Sequence, residues 1–340
     1  MIIRSKAPLR IGLAGGGTDV SPYSDRFGGA VLNATVSLYA YSTIEPITEK
    51  KIIFRSVDKG RELIFPFKSN PETDGTLDLL KGVYNRVVRD YGKVPGPFAL
   101  TTYVDAPAGS GLGTSSTLVT AILGAFAEWM KLPLGEYDIA KLAYDIERKD
   151  LGMAGGKQDQ YAATFGGVNF MEFSDNDKVI VNPLRVREQV LNELSNNIVL
   201  FYTRTSRISS KIIETQQKNV IKGSNQSLEA MHSIKELAIM MKEAVLKGEL
   251  DQIGKLLDES WRHKKNMASG ITNNSIDELY EAAIKAGATG GKISGAGGGG
   301  YMFFYCPGNT RYKVLDALSK FGGEPHKYHF TRNGLETWTY

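Results

Sequence analysis

The chain is 340 residues long, 42% hydrophobic and 23% charged, the make-up of a water-soluble globular protein and more than one hydrophobic core comfortably fills. Lysine and arginine number 41 against 37 acidic residues, a surplus of four with no dense basic run; this sets aside a dedicated nucleic-acid binder and suits a site for small anions. Cys306 is the single cysteine, so neither an intramolecular disulfide nor a cysteine-based metal cluster is available.

Residues 2–3, 11–13, 31–41, 52–57 and 63–67 are β-branched and aromatic runs parted by Gly, Pro and Asp, the pattern of strands. Arg4, Ser5, Lys6 and Arg10 interrupt any apolar stretch at the start, so no secretory leader is expected. The spacing predicts a helix over 76–91, with Leu79, Leu80, Val83 and Val87 on one face, and a strand over 98–104. After a Pro/Gly loop, Leu118, Ala121, Ile122, Ala125, Phe126 and Trp129 recur at helical spacing. The segment 118–130 is the longest mostly apolar one, but it is too short to cross a bilayer and carries Glu128. A reduced, cytoplasmic chain with no membrane partner is the expectation. A further helix over 135–149 has Ile139, Leu142, Ala143 and Ile146 as its stripe, and strands follow at 167–173 and 179–181. From Arg187 the texture becomes helical, chiefly over 206–286, with strands at 198–202 and 301–305. The expected division is into domains 1–185 and 186–340.

The segment 106–117, Ala-Pro-Ala-Gly-Ser-Gly-Leu-Gly-Thr-Ser-Ser-Thr, follows a strand and opens an amphipathic helix. Gly109, Gly111 and Gly113 can take φ > 0 and turn successive amides toward one point, and the helix N-terminus adds unpaired N–H donors. Thr114, Ser115 and Ser116 bring hydroxyls to what reads as an anion cradle. A Walker A loop would need a lysine before its Ser/Thr, where Gly113 stands, and a dinucleotide fingerprint would place an acid about twenty residues on at a strand end, where Glu128 lies in a helix. A helix-capping turn competes evenly on glycine count alone. Two further segments weigh against it: Gly295–Gly300, with five glycines in six positions, and Gly15-Gly-Gly-Thr-Asp19.

These three segments, in this order, resemble the GHMP kinase superfamily, which includes galactokinase, homoserine kinase and mevalonate kinase. The middle one is similar to that family's phosphate loop and the last to its C-terminal motif. The resemblance implies an α+β fold of two domains, a ribosomal protein S5 domain 2-like N-terminal domain and a ferredoxin-like C-terminal domain, with ATP and Mg²⁺ between them. It implies that Pro107, Ala108, Gly109, Ser110, Gly111, Leu112, Gly113, Thr114, Ser115 and Ser116 hold the nucleotide, and that Ser115 and Glu147 ligate magnesium. Glu147 also continues the line Ile139–Ala143 beside the buried stripe, where an unpaired carboxylate is costly. Asp159 falls on the catalytic aspartate and Arg10 on the cation that contacts it, an arrangement that favours the ionised carboxylate.

For the acceptor, the resemblance implies Arg10, Gly16, Gly17, Thr18, Asp19, Gly156, Lys157, Asp159, Arg207, Gly297 and Gly298. Galactokinase carries Glu-His where Gly16 and Gly17 stand, so the site here has more room and one carboxylate fewer. Ala14–Tyr23 together with Gly155–Ala162 looks most like the branch that phosphorylates the anomeric oxygen of D-glycero-α-D-manno-heptose 7-phosphate, toward GDP-heptose for surface polysaccharide. Fucokinase-like kinases of an unphosphorylated sugar are the close alternative; an ATP-dependent decarboxylase or a non-catalytic binding protein of the same fold is more remote. A substrate bearing phosphate needs extra cations, for which Lys157, Arg204 and Arg207 are the candidates. The expected partners are thus a sugar phosphate and ATP, in a monomer or homodimer.

Overall fold

The computed structural model describes residues 1–205 and 209–340. Its first half is built on β1 (Ile3–Ala14) and β2 (Gly29–Pro46), with the short helix α1 (Tyr23–Phe27) between them. Next come the hairpin β3 (Lys51–Ser56) and β4 (Arg61–Pro66), helix α2 (Asp78–Tyr91) and strand β5 (Phe98–Val104). The long helix α3 (Thr114–Met130), α4 (Glu136–Asp145), α5 (Gln158–Phe165) and strands β6 (Val168–Phe173) and β7 (Val179–Pro183) complete this half. The eighteen residues of β2 let it serve three neighbours: β1 along one edge, β6 against its first third and β5 against its last. Val119, Ile122, Leu123 and Phe126 of α3 are buried, each worth roughly 1.5–3 kcal/mol of removed apolar surface. That burial fixes the N-terminus of α3, and the loop leading into it, against the ends of β1 and β5.

Helix α6 (Glu188–Asn197) leads to β8 (Ile198–Tyr202), and α7 (Ser209–Ile221), α8 (Asn225–Lys247), α9 (Leu250–Lys265) and α10 (Asn274–Lys285) follow. Then come β9 (Gly290–Ile293), β10 (Tyr301–Tyr305), α11 (Arg311–Ser319) and β11 (Glu324–His326). The second sheet runs β11-β8-β10-β9, every pair antiparallel, which is the fourth-first-third-second order of a ferredoxin-like fold. Among the described residues no helix is long and apolar enough to cross a membrane.

Two elements depart from the sequence pattern. The helix expected over 135–149 is α-helical only to Asp145 and closes in a wider, π-helical turn, Ile146–Asp150, that carries the buried Glu147. The division at 185/186 is also incomplete. Strand β12 (Glu336–Thr339) returns to the first sheet, pairing with β1 from Ile3↔Thr339 to Lys6↔Glu336, while Leu335 packs under Gly124 of α3. The pairing covers the open edge of β1, which is why the chain end belongs with its beginning.

Candidate active site

A cleft of about 570 Å³ opens where the two sheets meet. One wall is the loop from β5 to α3. Its Gly109, Gly111 and Gly113 have φ of +74°, +85° and +81°, and all three line the cleft together with Thr114, Ser115 and Ser116. Loop amides and the first turn of α3 therefore face one space, the arrangement that binds phosphate. The alternate residues have other tasks. Pro107 and Ala108 are exposed outside the cleft, Leu112 is in the core with its carbonyl accepting the Arg10 amide at 3.1 Å, and the Ser110 carbonyl accepts the Tyr301 amide at 2.8 Å.

Arg10, near the end of β1, reaches across to Asp159 in the first turn of α5. Its Nε and a terminal nitrogen both donate to Asp159 Oδ1, at 2.7 and 2.6 Å, and its other terminal nitrogen donates to the Gly111 carbonyl at 2.6 Å. Arg10 is only 3% exposed, so the pair is fixed rather than solvated. A Cβ built on Gly113 would lie 3.2 Å from Asp159 Oδ2, which puts this free carboxylate oxygen directly against the phosphate-loop wall.

The loop Gly15–Asp19 forms the opposite end. Gly16, Gly17 and Asp19 line the cleft. Asp19 is buried, and its two oxygens accept from the amides of Gly17 at 3.2 Å and Gln158 at 3.0 Å. Gly156 lies so close that a Cβ there would overlap the Asp19 carboxylate. Thr18 is placed otherwise than the sequence suggested: its hydroxyl is turned away from the cleft onto the Gly15 and Ala30 carbonyls, at 2.8 and 3.0 Å, bracing the loop. From α7, Gln216 Nε2 donates to the Gly17 carbonyl at 2.9 Å.

The extra cations foreseen from sequence lie elsewhere. Lys157 is buried behind the loop, paired with Asp177 at 3.1 Å and Asp25 at 3.5 Å. Arg204 pairs with Glu324 at the surface. Arg207 lies outside the described residues. Gly297 and Gly298 do not line the cleft either; of the glycine run only Gly295, with Ala296, does so. The Gly298 amide is bonded to the Ile271 carbonyl at 2.8 Å and the Gly300 amide to that of Thr205 at 2.6 Å. A Cβ on Gly295 would meet Gly111 Cα at 2.7 Å, and one on Gly300 the Ser110 carbonyl oxygen at 2.3 Å. The run packs backbone to backbone on the phosphate loop.

Glu147 is fully buried at the cleft wall. Its Oε2 accepts from Gln160 Nε2 at 2.5 Å, and the same amide nitrogen lies 3.1 Å from Ser116 Oγ. Among the described residues Oε1 has no hydrogen-bond partner, and the nearest cation, a terminal nitrogen of Arg148, is 3.8 Å away. Burial pushes this carboxyl above its ordinary value, against the opposing pull of Arg148.

Comparison with known proteins agrees with this geometry. Residues 78–167 match the GHMP kinases N terminal domain and residues 241–324 the GHMP kinases C terminal domain. A protein of Campylobacter jejuni named D-glycero-alpha-D-manno-heptose 7-phosphate kinase is 49% identical over 336 residues, 99% of this chain and 98% of that one. The chain belongs to the GHMP kinases. A crystal structure described as a D-glycero-D-manno-heptose 1-phosphate kinase from Bacteroides thetaiotaomicron superposes with a TM-score of 0.85 at 46% identity, covering 99% of each chain. An L-fucokinase/L-fucose-1-P guanylyltransferase of Bacteroides fragilis is more distant, 28% identical over 89% of this chain and 34% of its own.

Two properties of this kinase's site follow from its residues. First, the donors fit a magnesium ion: a buried carboxylate with one unpartnered oxygen beside the hydroxyls of Ser115 and Ser116 offers hard oxygen ligands, and a nucleotide-bound Mg²⁺ needs only one or two from protein. The hydroxyl next to Glu147 is that of Ser116, with Ser115 on the cleft surface beside it. Second, the cleft contains two lysines that sequence reading passed over. Lys264, at the end of α9, donates to the Gly295 carbonyl, and Lys292 of β9 donates to the Leu13 carbonyl at 3.3 Å. Both are buried, 5% and 2% exposed. Burial, then repulsion from Arg10, pulls Lys264 down to about 8, with Asp19 opposing; burial and the neighbouring Lys264 push Lys292 well below the usual lysine range. One signal for Lys264 was present: it falls on the stripe Leu257–Trp261 of α9.

Proposed function

We propose that this kinase, acting in the cytoplasm, transfers the γ-phosphoryl group of ATP to the anomeric hydroxyl of D-glycero-α-D-manno-heptose 7-phosphate, giving the 1,7-bisphosphate and ADP. The choice of sugar rests on the full-length likeness to the Campylobacter jejuni protein. The reaction rests on one observation, the Asp159 carboxylate that Arg10 holds against the glycine loop.

The steps follow from that placement. The loop amides and the N-terminus of α3 hold the nucleotide phosphates, so the γ-phosphorus is presented toward Asp159. Arg10 occupies Oδ1 and leaves Oδ2 to accept the proton of the anomeric hydroxyl. The sugar oxygen forms its bond to the γ-phosphorus as the β–γ bridging P–O bond breaks, its electrons leaving on ADP. Anomeric hydroxyls are more acidic than ordinary alcohols, so a modest base suffices. Asp19, fixed by two amides, keeps lone pairs for sugar hydroxyls. Glu147 with Ser115 and Ser116 would hold a magnesium ion, which would supply neutralisation of the phosphate charge.

The test is turnover with Mg·ATP on the heptose 7-phosphate, with phosphorus NMR to locate the new ester. A phosphate at C1 alongside the one at C7 is the expected product. Turnover confined to free sugars such as fucose or heptose would overturn this reading in favour of a fucokinase-like kinase.

A further inference from the structure

Four cations of known placement line the cleft: Arg10, Arg148, Lys264 and Lys292. Arg10 is committed to Asp159 and the Gly111 carbonyl, and Arg148 to Glu147 and the carbonyls of Met153 and Gly156. The two lysines differ. Among the described residues neither has a carboxylate within 4.0 Å, and each ammonium, with three N–H donors, makes a single hydrogen bond to a carbonyl. Burying an ammonium without a counter-ion is unfavourable, which is what lowers both lysines below their usual range, and an anion arriving with a ligand would restore their charge. The nucleotide phosphates already have the loop amides and the helix end as their seat.

Position distinguishes the remaining choice. Asp19 is the carboxylate whose charge acts on Lys264. Beyond Lys264 the chain runs on to Met267, whose Cε covers Gly17, while a Cβ on neighbouring Gly16 would meet nothing at all. Lys264 therefore sits between Gly295, which packs on the phosphate loop, and the Gly16–Asp19 end of the cleft, beside open space. We propose that Lys264, with Lys292 next to it, is the seat for a phosphate group carried by the acceptor sugar. The seat supplies the cations that Lys157 and Arg204 cannot, and it rests on the reading of the acceptor as a sugar phosphate.

The experiment compares kcat/KM for heptose 7-phosphate with that for unphosphorylated heptose, in the wild-type kinase, Lys264→Met and Lys264→Arg. Removing one partner of a buried charge pair should lower the ratio of the two by roughly 30-fold or more in Lys264→Met, with Lys264→Arg restoring part of it. A thermal melt reports folding, and Lys264→Gln replaces a methionine variant that melts early. A ratio unchanged within twofold, including equal losses on both sugars, overturns the seat and leaves the proposed reaction standing. A wild-type enzyme that turns over only the free sugar overturns the proposed acceptor and the seat with it.

Discussion

The loop at 107–116 and the run at 295–300 are both glycine-rich, yet they use glycine in opposite ways. In the first, Gly109, Gly111 and Gly113 take positive φ and line the open cleft, with Gly111 also lying against the Ser294 backbone, and Ser110 and Leu112 between them point back into protein. In the second, positive φ at Gly297–Gly300 lets one backbone lie against another, and the amides of Gly298 and Gly300 are already bonded. The second region holds the first in shape: Ser294 Oγ donates to the Gly111 carbonyl at 2.8 Å, and the Tyr301 amide bonds Ser110. Glycine content thus marks both anion binding and close packing, and only the destination of the amides separates them.

The largest expected effect tests what the first region faces. Asp159→Asn should lower kcat by about 10²–10⁴-fold while nucleotide affinity, measured by calorimetry, is retained. Near-normal turnover would detach the phosphate loop from Asp159 as a working pair. A smaller effect tests the contrast itself. Gly300→Ala and Gly113→Ala carry similar backbone strain, about 1–3 kcal/mol each, because both have φ near +85° (+89° and +81°). At Gly300 the new methyl strikes the Ser110 carbonyl, so the loss should appear in the melting temperature. At Gly113 it crowds the Asp159 carboxyl, so kcat should fall further than the melt explains. If both variants lose only stability, the two regions are alike and the contrast fails.

What was legible in the sequence divides along similar lines. The strand–loop–helix cradle was readable from local pattern, since glycine spacing and an apolar stripe are short-range features. Arg10 and Asp159 lie 149 residues apart, and only their likeness to family motifs brought them together before the structure did. Glu147 was found by its place on an apolar stripe, although the π-helical turn that carries it left no mark in the periodicity. Lys264 carried the same signal, a charge in line with Leu257 and Trp261, but it stands among the charged residues Arg262, His263 and Lys265 of the last turn, which mask it. Strand β12 was invisible because its partner, β1, is at the other end of the chain. Local order was therefore readable, whereas groups brought together from distant stretches of the chain were readable only through resemblance, or not at all.

The smallest effect concerns the cation that ties the second region down. Lys264 donates to the Gly295 carbonyl and faces Arg10, Asp19 and Lys292. Its folded value of about 8 lies below the ordinary lysine value of 10.5, so between those limits the folded chain holds fewer protons than the unfolded one. Unfolding then takes up a proton, and raising the pH disfavours it. Without ligands, the melting temperature of the wild type relative to Lys264→Met should therefore climb from pH 7.5 to 9.5, and the comparison cancels titrations the two proteins share. A phosphate-bearing acceptor that supplies the missing anion should favour the charged form and flatten that climb. A difference that is flat with and without ligand would mean Lys264 keeps its proton throughout, and the glycine run would then be held by a permanent charge.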